Sequence, residues 1–271
     1  MLSKYEQMFG EPVSNREIHA PLEPGDHPEL DTSPLCTPEQ TSQYQSLIGD
    51  FQWAVSLGRL DIYCATMTLG SYRAAPRIGH LKRAKRICSY LRNYKKTSIK
   101  FRVDLPDYSS LEKETVHWDH IYYPCSEDIP DDLPMPKGKG VLTTTFKDSS
   151  LLFDYVTGRS STGIIHMLNK TPIDWFCQKQ STVETSTYGS EFTAARIAVD
   201  QIIHLRHTLR MLGVPFLGPS SHLPVKPFRA TFLSFVVSSK TTGVAFSRLP
   251  TELWCVNGTC ETSITFSNKV E

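Results

Sequence analysis

The sequence predicts an α+β protein, in which a helical N-terminal unit precedes a small hairpin-rich sheet packed against one long helix. Three observations predict it. Apolar residues recur at helical spacing, first at Leu47, Ile48, Phe51, Ala54 and Val55, then at Leu81, Ala84, Ile87, Cys88 and Leu91. Three strand-like runs follow: Val141 to Lys147, Thr162 to Leu168 and Pro172 to Cys177. Finally Tyr188, Phe192, Ala195, Val199, Ile202, Leu205, Leu209 and Leu212 recur at steps of three and four, a stripe expected to face the sheet.

A chain of 271 residues holds one or two domains and buries a substantial core. Hydrophobic content of 39% with 21% charged residues is that of an ordinary globular protein rather than a disordered or fibrous one. The net charge of +1 leaves any electrostatic preference to local clusters. No apolar run approaches the ~18 to 20 residues of a membrane span, and the N-terminus lacks the apolar core of a secretory signal. The seven cysteines are scattered and odd in number, which argues against a disulfide framework and for reduced thiols. An intracellular location, cytoplasmic or nuclear, is therefore expected. Cys255 and Cys260 have no nearby Cys or His pair to complete a zinc site.

Residues 1–36, rich in Pro, Glu and Asp, read as an extended or loosely packed arm. The helical unit spans 37–105. Thr37 is placed to cap its first helix, with Pro38 at the first helical position and Gln40 closing a capping box. Gly58-Arg59-Leu60-Asp61 breaks that helix, and Asp61 is expected to cap the next, Ile62 to Leu69. A third helix, from His80 to Tyr94, belongs to a stretch (His80 to Lys96) with seven Lys or Arg and no acid. Its basic face, including Lys82, Arg83, Lys85, Arg86 and Arg92, has two readings: a solvated helix surface, or a surface that tracks nucleic-acid phosphates. Residues 106–140 read as a linker whose acids Glu127, Asp128, Asp131 and Asp132 form a solvated tether.

The second unit, 141–216, carries the candidate chemistry. Asp148 ends the first strand-like run, and Glu191 borders the stripe of the long helix. A carboxylate in that position must be paired, hydrogen-bonded or bound to metal, and Lys179 or Arg159 are available partners. Asp154 reads as a loop residue, Asp174 as a strand residue paired with a basic neighbour, and His166 as a satisfied core histidine. His204 and His207 read as surface residues, and Glu184 as a substitute for Glu191 in a shifted register.

Several motifs in one order carry a resemblance to a known family. Tyr44-Gln-Ser-Leu-Ile-Gly-Asp-Phe-Gln-Trp53, Gly58-Arg-Leu-Asp-Ile62 and His80 to Leu91 resemble the end of a copia-type retrotransposon reverse transcriptase. Gly158-Arg-Ser-Ser-Thr-Gly163, Pro172-Ile-Asp-Trp175, Lys179-Gln-Ser-Thr182 and Tyr188-Gly-Ser-Glu-Phe192 resemble the ribonuclease H domain of the same polyproteins. The resemblance implies a thumb- or connection-like helical unit and a truncated ribonuclease H-like mixed sheet flanked by helices. It further implies RNA–DNA hybrid as partner, other parts of the polyprotein as neighbours, and paired Mg²⁺ ions held by carboxylates, Asp148 and Glu191 among them. No Tyr-x-Asp-Asp-like hairpin precedes residue 44, so no polymerase centre is expected.

The family's next carboxylate lies in a Gly-Asp-Asn-like motif after the segment matching Gly213 to Phe216. This chain has no Asp or Glu between Asp200 and Glu252. Its nuclease centre is therefore expected to be inactive for want of a third carboxylate. The alternatives are an active Mg²⁺-dependent nuclease completed by Glu252 or Glu261, and a nucleic-acid-binding module without chemistry. Residues 217–271 match nothing in the family and have the texture of a frameshifted or misjoined segment. Reading the encoding DNA past Pro215 in the other frames tests that, since it requires Gly-Asp-Asn-like codons there.

Overall fold

The computed structural model describes residues 1–107, 130–218 and 221–222. It is an α+β structure, a helical unit followed by an open sheet with a long helix on one face.

In the helical unit, α2 (Pro38–Ser56) begins as its sequence dictates: Thr37 Oγ1 accepts from the Gln40 N–H at 3.3 Å, and the Gln40 side chain accepts from the Thr37 N–H at 3.0 Å. Two of the otherwise unpaired amides of the first turn are satisfied in this way. Its apolar face, Tyr44, Leu47, Ile48, Phe51 and Val55, is buried against α3 (Tyr63–Gly70) and α4 (Ile78–Asn93). The stripe of α4 is buried where its spacing places it, at Leu81, Ala84, Ile87, Cys88 and Leu91. Asp61 does not cap α3. It lies in a 3-10 turn, Leu60–Ile62, where Arg59 grips it through Nε at 2.9 Å and Nη2 at 2.7 Å. A nearby guanidinium satisfies a buried carboxylate better than a single amide does.

The first 36 residues are not a loose arm. They begin with α1 (Leu2–Phe9) and place Tyr5, Val13 and Ile18 in the helical core. The segment between Pro12 and Ser33 lies along α4 and supplies what the N-terminus of that helix lacks. Ser33 Oγ accepts from the Gly79 N–H at 2.8 Å, and His80 Nε2 donates to the Pro28 carbonyl at 2.9 Å while its Nδ1 accepts from the Arg77 N–H at 3.1 Å. Burial keeps His80 neutral by lowering its pKa.

The sheet has strand order β3-β2-β1-β4, built from β1 (Thr143–Ser150), β2 (Ser161–Leu168), β3 (Thr171–Lys179) and the two-residue β4 (Ser221–His222). The β1–β2 and β2–β3 pairs are antiparallel, and β4 is parallel to β1. Asn169, in the left-handed region at φ 54°, turns β2 into β3 and accepts from the Leu142 N–H at 2.9 Å. The start of the tail read as unmatched thus pairs with the sheet: the Leu217 N–H donates to the Val141 carbonyl at 2.9 Å, and Ser221 and His222 continue alongside Thr144 and Thr145. A lone strand edge is satisfied by whatever backbone lies next to it, whatever the side chains.

The long helix, α5 (Thr187–Met211), presents a different face to the sheet from the one its periodicity predicts. Ser190, Ala194, Ala198, Ile202 and Arg206 are buried, whereas Tyr188, Phe192 and Val199 of the predicted stripe are exposed. The sheet surface beneath α5 is polar, and this explains the rotation. His166 is buried between Thr145 Oγ1 at 2.9 Å and Gln201 Oε1 at 3.2 Å, and Arg206 donates to Thr143 Oγ1 at 2.9 Å. Small and hydrogen-bonding residues of α5 satisfy such a surface, which an apolar stripe would leave unpaired. Among the described residues no helix is long and apolar enough to cross a membrane.

Candidate functional site

The second half of β1 delivers three polar residues in a row to the N-terminal turns of α5. Strand alternation turns Lys147 and Ser149 towards the helix. Lys147 Nζ donates to Glu191 Oε2 at 2.8 Å and to the Glu191 carbonyl at 3.0 Å. Ser149 Oγ hydrogen-bonds Ser190 Oγ at 3.0 Å, and the Ser149 N–H donates to Glu191 Oε1 at 3.4 Å. Asp148, opposite Gly163 on β2, lies close enough to Glu191 for the two carboxylates to act on one another. Ser186 caps α5 by accepting from the Gly189 N–H at 3.1 Å, which fixes the turn that carries Glu191.

The two carboxylates predicted from sequence therefore meet. Burial, followed by the charge of Glu191, pushes the Asp148 carboxyl up to about 7, against the opposing pull of the Ser149 N–H and the Lys147 ammonium. The cation facing Glu191 is Lys147 rather than the expected Lys179 or Arg159. Lys179 is held by Asp154 at 2.7 Å. Lys147 carries a signal that sequence reasoning passed over: a lysine directly before the strand carboxylate, on the alternation that faces the helix.

The remaining acids lie elsewhere. Asp154 organises the β1–β2 loop, accepting from the Val156 N–H at 3.1 Å and the Thr157 N–H at 3.0 Å. Burial raises its pKa, but the Lys179 hydrogen bond and the loop amides outweigh this and hold it below the usual carboxylate range. Asp174 is exposed and accepts from the Trp175 N–H at 2.9 Å; it forms no ion pair among the described residues, because its side chain turns back on its own strand. Glu184 accepts from Thr182 at 2.8 Å and Thr193 at 3.3 Å, beside α5. His204 and His207 are exposed. Asp131 and Asp132 are exposed, whereas Glu127, Asp128, Glu252 and Glu261 lie outside the described residues.

The basic face of α4 is not an open phosphate track. The N-terminal segment lays its acids across it: Arg83 binds Asp26 through Nε at 2.7 Å and Asp31 through Nη1 at 2.5 Å, Lys85 binds Glu11 at 2.8 Å, and Arg86 binds Glu23 at 2.7 Å. Arg92 donates to the Val13 carbonyl. Burial raises the Asp31 pKa, but its bonds from Ser33 and Arg83 bring it down to about 2. Of the five residues read as nucleic-acid-binding, Lys82 alone remains exposed. Charge complementarity within the chain satisfies the face that composition left open.

Among the described residues no group of three or more His, Cys, Asp or Glu is arranged to hold a metal ion. Two neighbouring carboxylates, Asp148 and Glu191, are the residues that could hold one hard divalent cation. Mg²⁺ takes one or two carboxylates and fills its octahedron with water and phosphate oxygens, and a cation there offsets the repulsion that raises Asp148. Compared with protein-family models, curated proteins and solved structures, the chain matches none of them.

Proposed function

We propose that the chain is a copia-type retrotransposon polyprotein fragment whose second unit is a ribonuclease H-like domain, able to engage RNA–DNA hybrid around one Mg²⁺ but without the carboxylates for efficient cleavage. The observation that carries the reading is the meeting of Asp148, from the first strand, with Glu191, from the helix that follows the third. The strand order β3-β2-β1-β4, with β1 central and β4 parallel to it, supports the same assignment. A bound Mg²⁺ would polarise a phosphoryl oxygen and lower the pKa of a water. Asp148 and Glu191 would hold it, and Lys147 would fix the Glu191 carboxylate. The acid-free interval after Asp200 is what limits the reaction.

The test is cleavage of an end-labelled RNA–DNA hybrid by the full chain in Mg²⁺, beside Asp148→Asn and Glu191→Gln. The expected result is salt-sensitive hybrid binding with no cleavage above that of the variants. Cleavage by the wild type that both variants lose overturns the incomplete centre, and absence of hybrid binding overturns the domain assignment. One observation favours a second reading: β4 runs parallel to β1, towards its Asp148 end. On that reading Glu252 or Glu261 completes the site, and Glu252→Gln or Glu261→Gln abolishes a cleavage that the wild type performs.

A further inference from the structure

Where the helical unit meets the sheet, α3 packs on β3 and brings two thiols together. Cys64 is half-buried on α3 and Cys177 is buried on β3; both are free, and the two thiols are near enough to interact. The residue before Cys64 reinforces the register, because the Tyr63 hydroxyl is hydrogen-bonded to the Cys177 backbone. Beside the pair, Tyr63, Thr66 and Met67 from α3 and Asp174 and Trp175 from β3 line a cleft of about 420 Å³.

We propose that Cys64 and Cys177 form an oxidisable pair whose disulfide staples the helical unit to the sheet, with a peroxide as the oxidant. Forming the S–S bond of ~2 Å requires the two neighbouring thiols to rotate towards one another. Cys64 reacts first because it is the accessible member; the neighbouring Cys64 thiol, followed by burial, keeps the Cys177 thiol protonated. The Cys64 thiolate attacks a peroxide oxygen, the O–O bond breaks, and hydroxide leaves to give a sulfenic acid. The Cys177 sulfur then attacks the Cys64 sulfur, the S–O bond breaks, and water leaves as the S–S bond forms. Overall two thiols lose two electrons and two protons, and one hydrogen peroxide is reduced to two waters. The disulfide fixes α3 against β3 and so holds the cleft between them in one shape.

This inference is independent of the ribonuclease H-like reading. The test treats the full chain with hydrogen peroxide and maps it by non-reducing peptide mass analysis, with thiol titration alongside. The expected result is a cross-linked pair of peptides carrying Cys64 and Cys177, and a loss of two titratable thiols. Closing so long a loop should also raise Tm by roughly 5–10 °C, reversed by dithiothreitol. Cys64→Ser and Cys177→Ala should each abolish the cross-link and the Tm rise, while Cys36→Ser should keep both. Cys64→Ser, at the half-buried position, decides the matter alone if Cys177→Ala does not fold. Oxidation of Cys64 to a sulfinic acid with Cys177 still free, or a cross-link between other cysteines, overturns the proposal.

Discussion

In the helical unit Tyr44, Leu47, Ile48, Phe51, Ile62, Leu69 and Ile87 sit in one continuous apolar core, each no more than 1% exposed. Between the sheet and α5 the buried side chains include Thr143, Thr145, Lys147, His166, Ser190 and Arg206, tied by named hydrogen bonds. The apolar cluster on the sheet's other face is small: Leu60, Ile165 and Met167, with Ile99, Phe146 and Trp175 packed on it. The first unit is held by area removed from water and the second by polar satisfaction. Apolar burial tolerates loose geometry, whereas a hydrogen-bonded face demands that each partner be present.

The largest expected effect is on the apolar side. Phe51→Ala should destabilise the helical unit by about 3–5 kcal/mol in denaturant unfolding, and a loss below 1 kcal/mol would deny that unit its core. The tight contact of α5 comes next. Ala198 is 4% exposed on the sheet-facing side, so forcing a longer chain into that packing with Ala198→Leu should cost about 1–3 kcal/mol.

Asp148 gives a smaller effect of opposite sign. Its pKa is raised in the folded state, to about 7, so the native chain binds more protons than the unfolded one above the unfolded value near 4. Its contribution to stability is therefore fully present below ~4 and lost as pH rises through about 7. Asp148→Asn should accordingly stabilise the chain at pH 8, by about 1–2 kcal/mol after allowance for partial exposure, and flatten the stability curve between pH 4 and 8. A wild-type curve that is already flat over that range would separate the two carboxylates. The smallest effect is expected on the outer face of α5: Ile203→Ser, at a 60% exposed position, should change stability by less than about 0.5 kcal/mol. A larger loss there would mean that this outer face of α5 is covered.

Much of this was legible in the chain itself. The Thr37–Gln40 capping box, the α4 stripe, the Asn169 turn and the three strands all follow from hydrogen bonds and spacings within a few residues. Asp148 and Glu191 were also legible, because strand and helix positions follow from the same local rules. The orientation of α5 was not. A helix carrying both an apolar stripe and a stripe of Ser190, Ala194, Ala198 and Ile202 has two faces that can be buried, and the polar sheet chose the second.

What the sequence determined alone was therefore the set of elements and where each begins and turns, since capping, periodicity and turn conformation act over neighbouring residues. The tertiary structure decided the pairings between distant segments. It laid Glu11, Glu23, Asp26 and Asp31 over the basic face of α4, set Lys147 against Glu191, brought Asp148 to that same carboxylate, and placed Cys64 beside Cys177. Such choices depend on which buried charge or polar group finds a partner once water is excluded, and that partner is set by packing rather than by proximity along the chain.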